Sequence, residues 1–166
     1  METPITQRYR LLGLAVLLLF AAVIAAALYK GWDVLFPPVA VQAAVDPACD
    51  LRQGECRSRL PSGAKIGFGI EPRSLPVFKP IRLSVTTQGL DAQGVEVDFS
   101  GVDMNMGFIR PRLEPTGDGR FEGTSMLPVC IRSRMTWEAK VLVQTPDGLV
   151  AAPFQFETVN EGAFPP

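Results

Sequence analysis

The chain has 166 residues, with 16 basic and 17 acidic side chains, no histidine and a formal net charge of −1. A near-neutral balance excludes a general nucleic-acid binder, which needs a basic field. The missing histidine excludes Ser-His-Asp and Cys-His catalysis, histidine zinc sites and a blue-copper His2Cys centre.

Residues 1–10 form a short polar leader that the charge pattern places in the cytoplasm. Leu11 to Tyr29 then reads LLGLAVLLLFAAVIAAALY, without charge or proline. About 19 residues of helix span roughly 30 Å, the thickness of bilayer hydrocarbon. Residues 11–29 are therefore expected to be a transmembrane anchor whose partner is the bilayer. Arg8 and Arg10 precede the run and Lys30 follows it. That asymmetry puts the N-terminus inside and the remainder outside, in the periplasm of a bacterial-type cell with its inner membrane as the anchor site. The rival reading is a cleaved signal peptide, with Ala40 to Ala44 supplying small residues.

Residues 30–62 read as a linker, because alanine, proline and small polar residues dominate. Within it lie Cys49 and Cys56, spaced C-x6-C around Gly54. An oxidising compartment favours a disulfide there; two thiolate ligands are the alternative, although the spacing is wider than zinc-type pairs. Cys130 is left over.

From residue 63 to 160 the texture is all-β. Seven strands are expected: Lys65–Glu71, Ile81–Thr87, Val95–Ser100, Gly107–Leu113, Phe121–Met126, Met135–Thr145 and Leu149–Thr158. Alternation is clear at Ile81/Leu83/Val85, Val95/Val97/Phe99 and Trp137/Ala139/Val141/Val143. Gly117-Asp-Gly119 and Pro146-Asp-Gly148 are turn sequences. The fold class predicted is an immunoglobulin-like or cupredoxin-like sandwich of about seven strands, preceded by one transmembrane helix, with residues 161–166 a tail.

No phosphate-binding or dinucleotide loop occurs. Glu96 and Asp98 sit i,i+2 opposite an apolar face, which reads as a solvated strand exterior, so no enzyme is expected. The remaining distinctive feature is sulfur. Met104, Met106, Cys130 and Met135 fall in one window, and Met104 and Met106 would project together from an extended segment. Thioether and thiolate donors select Cu(I). The competing reading is plain packing, because methionine fills cores. Arg110, Arg112, Arg132 and Arg134 share the window and could dock an acidic partner, or simply decorate strand exteriors. Cys130 as a redox thiol is a third reading.

Met104-x-Met106, Pro115-Thr-Gly-Asp-Gly-Arg-Phe121 and Met135-Thr-Trp-Glu-Ala-Lys-Val141 resemble the FixH/YtkA-like family of membrane-anchored periplasmic β-sandwich domains. The resemblance covers roughly residues 81–145. It implies an accessory role near a respiratory oxidase or in copper handling, without catalysis. The function expected is thus a bitopic periplasmic protein that binds Cu(I) through Met104, Met106, Cys130 and Met135. A structural or assembly module that docks a membrane-complex partner through its sandwich surface is the alternative.

Overall fold

A computed structural model describes residues 4–35, 39–104, 107–128 and 133–159. The chain divides into two units, Met1–Pro38 and Val39–Pro166. The first holds helix α1 (Pro4–Leu35). Proline suits the first helical position, where its missing N–H costs nothing and its fixed φ is already helical. Leu12–Lys30 is long and apolar enough to cross a membrane, with mean hydropathy 2.6 and none of it buried within the structure. The helix is longer than its apolar run and continues through Gly31 and Trp32 to Leu35.

The second unit is a β-sandwich of nine strands: β1 (Val39–Gln42), β2 (Cys56–Arg59), β3 (Lys65–Glu71), β4 (Pro80–Gln88), β5 (Gly94–Gly101), β6 (Arg112–Gly117), β7 (Arg120–Met126), β8 (Arg134–Thr145) and β9 (Gly148–Val159). Their order along one curled sheet is β1-β9-β8-β5-β6-β7-β4-β3-β2. β6 makes the corner. Leu113 pairs with Val95 of β5, and Glu114 pairs with Glu122 of β7, so one strand hydrogen-bonds into both layers. Corners of this kind let a single sheet fold into two facing ones. Strands β3-β4-β7-β6 against β5-β8-β9 reproduce the four-plus-three immunoglobulin layout, with chain crossings after β4, β5 and β7. β1 adds in parallel beside β9, and β2 extends the opposite edge.

Period-two alternation decides which side chains go inside. Met135, Trp137, Ala139, Val141 and Val143 point into the core from β8 and are each 5% exposed or less. Facing them from the other layer are Ile66, Phe68, Leu83 and Val85, all fully buried. Phe68 and Phe154 bridge the layers with ring centroids 5.4 Å apart. The Trp137 indole N–H donates to Thr158 Oγ1 at 3.0 Å, so the largest core side chain carries no unpaired polar atom. Turns close where the sequence expects them, with Gly119 at φ +70° and Gly148 at φ +122°.

Two expectations change. Gly107–Leu113 is not a strand: residues 107–111 meet the β5 main chain through a bridge between Phe99 and Ile109 and a bond from Val97 N–H to the Pro111 carbonyl. Pro111 has no N–H to donate, so the ladder resumes only at Arg112. The strand then runs to Gly117, through residues whose composition suggests a turn. The stretch read as linker, residues 30–62, also does more than connect. It carries β1 and β2, and Ala43, Leu51, Cys56 and Leu60 enter the core at 6% exposure or less.

Cys49 and Cys56 are joined by a disulfide, Cα to Cα 5.6 Å. Inside the loop they close, Leu51 is 1% exposed and packs into the common core. The cross-link thus fixes a hydrophobic plug rather than an idle linker. Leu51→Ala should lower stability by about 2–5 kcal/mol, and the double change Cys49→Ser/Cys56→Ser by about 2–3 kcal/mol, the loop-entropy value for so short a ring. Denaturant midpoints check both; a Leu51→Ala midpoint equal to wild type would mean that the loop does not belong to the core.

Candidate functional site

The sequence singles out sulfur and arginine, and the fold gathers part of each set at one end of the sandwich. That end carries the close of β5, the start of β8 and the finish of β9, since Gly101 pairs with Trp137 and Arg134 with Val159. After Gly101 the chain turns back across β8, held by a bond from Val102 N–H to the Thr136 carbonyl at 3.0 Å. A Cβ at position 101 would overlap the Met104 carbonyl oxygen and the Met135 Cε methyl, so only glycine lets these two residues close on the strand end.

Met135 is 5% exposed and belongs to the core. Met104 is half-buried and packs against the same cluster. Met106 and Cys130 lie outside the described residues, as does Arg132. Met126 stands apart at the end of β7, 48% exposed and opposite Pro80. Among the described residues no group of three His, Cys, Asp or Glu side chains converges on a cation position.

The described arginines sit among carboxylates. Arg110 Nη2 meets Asp98 Oδ2 at 2.8 Å, and its guanidinium lies 4.7 Å from the centre of the exposed Phe108 ring. Arg134 Nη1 meets Glu157 Oε2 at 3.0 Å. Arg112 stands directly across from Glu96 in the β5–β6 register. Lys140 and Glu138 continue the pattern at 3.4 Å. The outer face of this layer is therefore a lattice of alternating signs, rather than a basic field.

Sequence reasoning missed the ground beside it. A cleft of ≈ 380 Å³ opens between the disulfide loop and the finish of β9, lined in part by Cys49, Asp50, Arg52, Leu75, Phe156 and Glu157. Arg52 Nη2 donates to the Glu157 main-chain carbonyl at 2.9 Å. Arg73 Nη1 braces the loop from the other side by donating to the Gln53 carbonyl at 3.0 Å. One signal in the sequence points here: Pro153 inside a long strand run marks an edge strand, since proline cannot donate to a neighbour.

Compared with known proteins, the chain matches no family model, no curated protein and no solved structure.

Asp50 organises the loop. It accepts from the Arg52 main-chain N–H and from the Gln53 amide, each at 3.0 Å. These two bonds, aided by the Arg52 charge, hold its carboxyl below the usual carboxylate range. The folded value lies below the unfolded one, so this contribution is fully present above the ordinary aspartate range and disappears as pH falls through the folded value. Asp50→Asn should therefore be less stable than wild type at neutral pH, and the gap should shrink when the pH is taken well below the ordinary aspartate range. Parallel denaturant titrations at the two pH values check it; a gap that persists unchanged in acid would show that the carboxylate charge has no part in ordering the loop.

Proposed function

We propose that this chain is a membrane-tethered accessory protein whose immunoglobulin-like domain lies outside the cytosol and holds a partner belonging to a membrane complex. The observation that carries this reading is the combination of an apolar helix of bilayer length, unburied along Leu12–Lys30, with a disulfide-closed domain beyond it. Disulfides persist where thiols are not kept reduced, and the basic residues before the helix favour a cytoplasmic N-terminus. In a bacterial-type cell this is the inner membrane, with the domain in the periplasm. The resemblance to FixH/YtkA-like domains points to a respiratory oxidase as the complex concerned. Tethering raises the concentration of the domain beside such a target without any new contact.

The topology is tested with protease on sealed membranes carrying the full chain. Spheroplasts should lose residues 39–159 to added protease, while inside-out vesicles should protect them. The reverse pattern overturns the location.

A second reading is Cu(I) handling, and it rests on the half-buried Met104 packing against the core cluster that holds Met135. Cu(I) would be cargo. Thioethers are soft, labile donors that exchange one at a time, which suits passing an ion on. Met135 already serves the core, so Met104 and Met106 are the residues whose exchange reports binding, with Cys130 the donor to complete the set. Titration of the full chain with Cu(I) against a competing chelator should show at least tenfold weaker binding for Met104→Leu/Met106→Leu. Equal affinity in both proteins would remove copper from the account.

A further inference from the structure

We infer that the lower half of β9, from Pro153 to Val159, is an acceptor edge for an extended segment of another protein, which adds there as a further strand. The inference rests on the reading of the domain as an interaction module and names the surface that does the binding.

The register of the β8–β9 hairpin decides which main-chain groups are free. Thr145 pairs with Gly148 across a two-residue turn. Even-numbered residues of β9 then exchange hydrogen bonds with β8, and odd-numbered residues direct their N–H and C=O to the other side. Three observations agree. The Ala151 carbonyl accepts from Ala43 N–H at 2.8 Å on that side. The Glu157 carbonyl accepts from Arg52 on that side. Proline occurs at an odd position, 153, where its lack of an N–H leaves the ladder to β8 intact.

β1 covers this edge only at Leu149–Ala151. Beyond Ala151, among the described residues, no strand lies beside β9 there. From Pro153 to Val159 the edge runs roughly 20 Å. It offers outward N–H groups at Gln155, Glu157 and Val159. The disulfide loop faces it across the cleft through Cys49, Asp50 and Arg52, and Arg52 hydrogen-bonds the Glu157 carbonyl. The opposite edge strand, β2, is different: Arg57 and Arg59 line it, and Cys56 ties it to the loop.

An added strand would take up the β9 main-chain groups and displace Arg52 from the Glu157 carbonyl. The freed guanidinium would then face the incoming chain, where it suits a carboxylate. The partner chemistry is thus an extended segment that carries an acidic residue for Arg52, its other side chains alternating to either side of the sheet. Main-chain bonds would supply affinity and the alternate side chains selectivity, as in other strand-addition interfaces.

The test is selection of random nine-residue peptides displayed on phage against the full chain in lipid nanodiscs, followed by binding of the selected peptides made synthetically. Selected sequences should favour strand-forming residues and carry a carboxylate. Gln155→Pro removes an outward donor while sparing the bonds to β8; it should weaken binding at least tenfold with the unfolding midpoint unchanged. Should that variant fail to fold, amide exchange in the wild-type chain decides: bound peptide should slow Gln155, Glu157 and Val159. No enrichment, equal binding to Gln155→Pro, or protection confined to other residues would each overturn the proposal. A cytosol-facing domain in the protease assay would sink the location and leave this result standing, so the two failures are distinguishable.

Discussion

The β8–β9 hairpin is the constraint on which the rest of the domain depends. It pairs without interruption from Thr145↔Gly148 to Arg134↔Val159. Because side chains alternate strictly along such a ladder, one register fixes three surfaces together. Its inner face supplies Trp137, Phe154 and Phe156 to the core. Its outer face presents Glu138, Lys140 and Glu157 to the charge lattice. Its free side exposes the odd-numbered main-chain groups of β9. A slip by one residue would turn Trp137 to solvent and bury Glu138, so core, surface charge and edge cannot vary independently. The bond from the Trp137 indole to Thr158 locks this register from inside, because the hydroxyl is within reach only when those two residues sit on the same face.

Much of this layout was legible in the sequence, and for one reason. Strands that cover a core on one side alternate, and Ile81–Thr87, Val95–Ser100 and Met135–Thr145 alternate clearly; the structure moves their ends by a residue or so. Lys65–Glu71 falls on the expected residues. β1 and β2 were not legible, because strands of four residues have no room to establish a period. Their pairing is decided by partners far along the chain, and alanine and proline around them look like linker. Leu51 was hidden for the same reason: a single apolar residue in a polar loop gives no local hint that the loop folds back into the core. β6 failed differently. The strand expected over Gly107–Leu113 runs across Pro111, which has no N–H for the ladder, and the observed strand begins only at Arg112.

The site shows the same division. That Met135 shares a face with Trp137 and Ala139 follows from spacing alone. The packing of Met104 against the same core cluster does not, because this depends on the turn after β5. The arginines have the right spacing to form a surface. What spacing could not give was their neighbours: Asp98, Glu96 and Glu157 come from strands distant in sequence, and only pairing brings them opposite Arg110, Arg112 and Arg134. Half-exposed pairs of this kind contribute little to stability. Their larger consequence is to balance the charge of the described outer face.

A face without net charge shifts the weight of recognition to shape and main chain. Exposed edge strands invite unwanted pairing, and soluble domains keep them short, charged or covered. Here β1 is short and β2 carries arginines. The lower part of β9 is long, and its charged side chain, Glu157, is paired with Arg134. Its cover is the disulfide loop, held by Leu51 in the core and by the bonds around Asp50, with Arg52 hydrogen-bonded to the edge itself. That arrangement separates two requirements that a paired strand would have merged. The loop can stay anchored and keep the sandwich closed while one long side chain swings away. A cover that can leave without unfolding anything protects a site; it does not erase one.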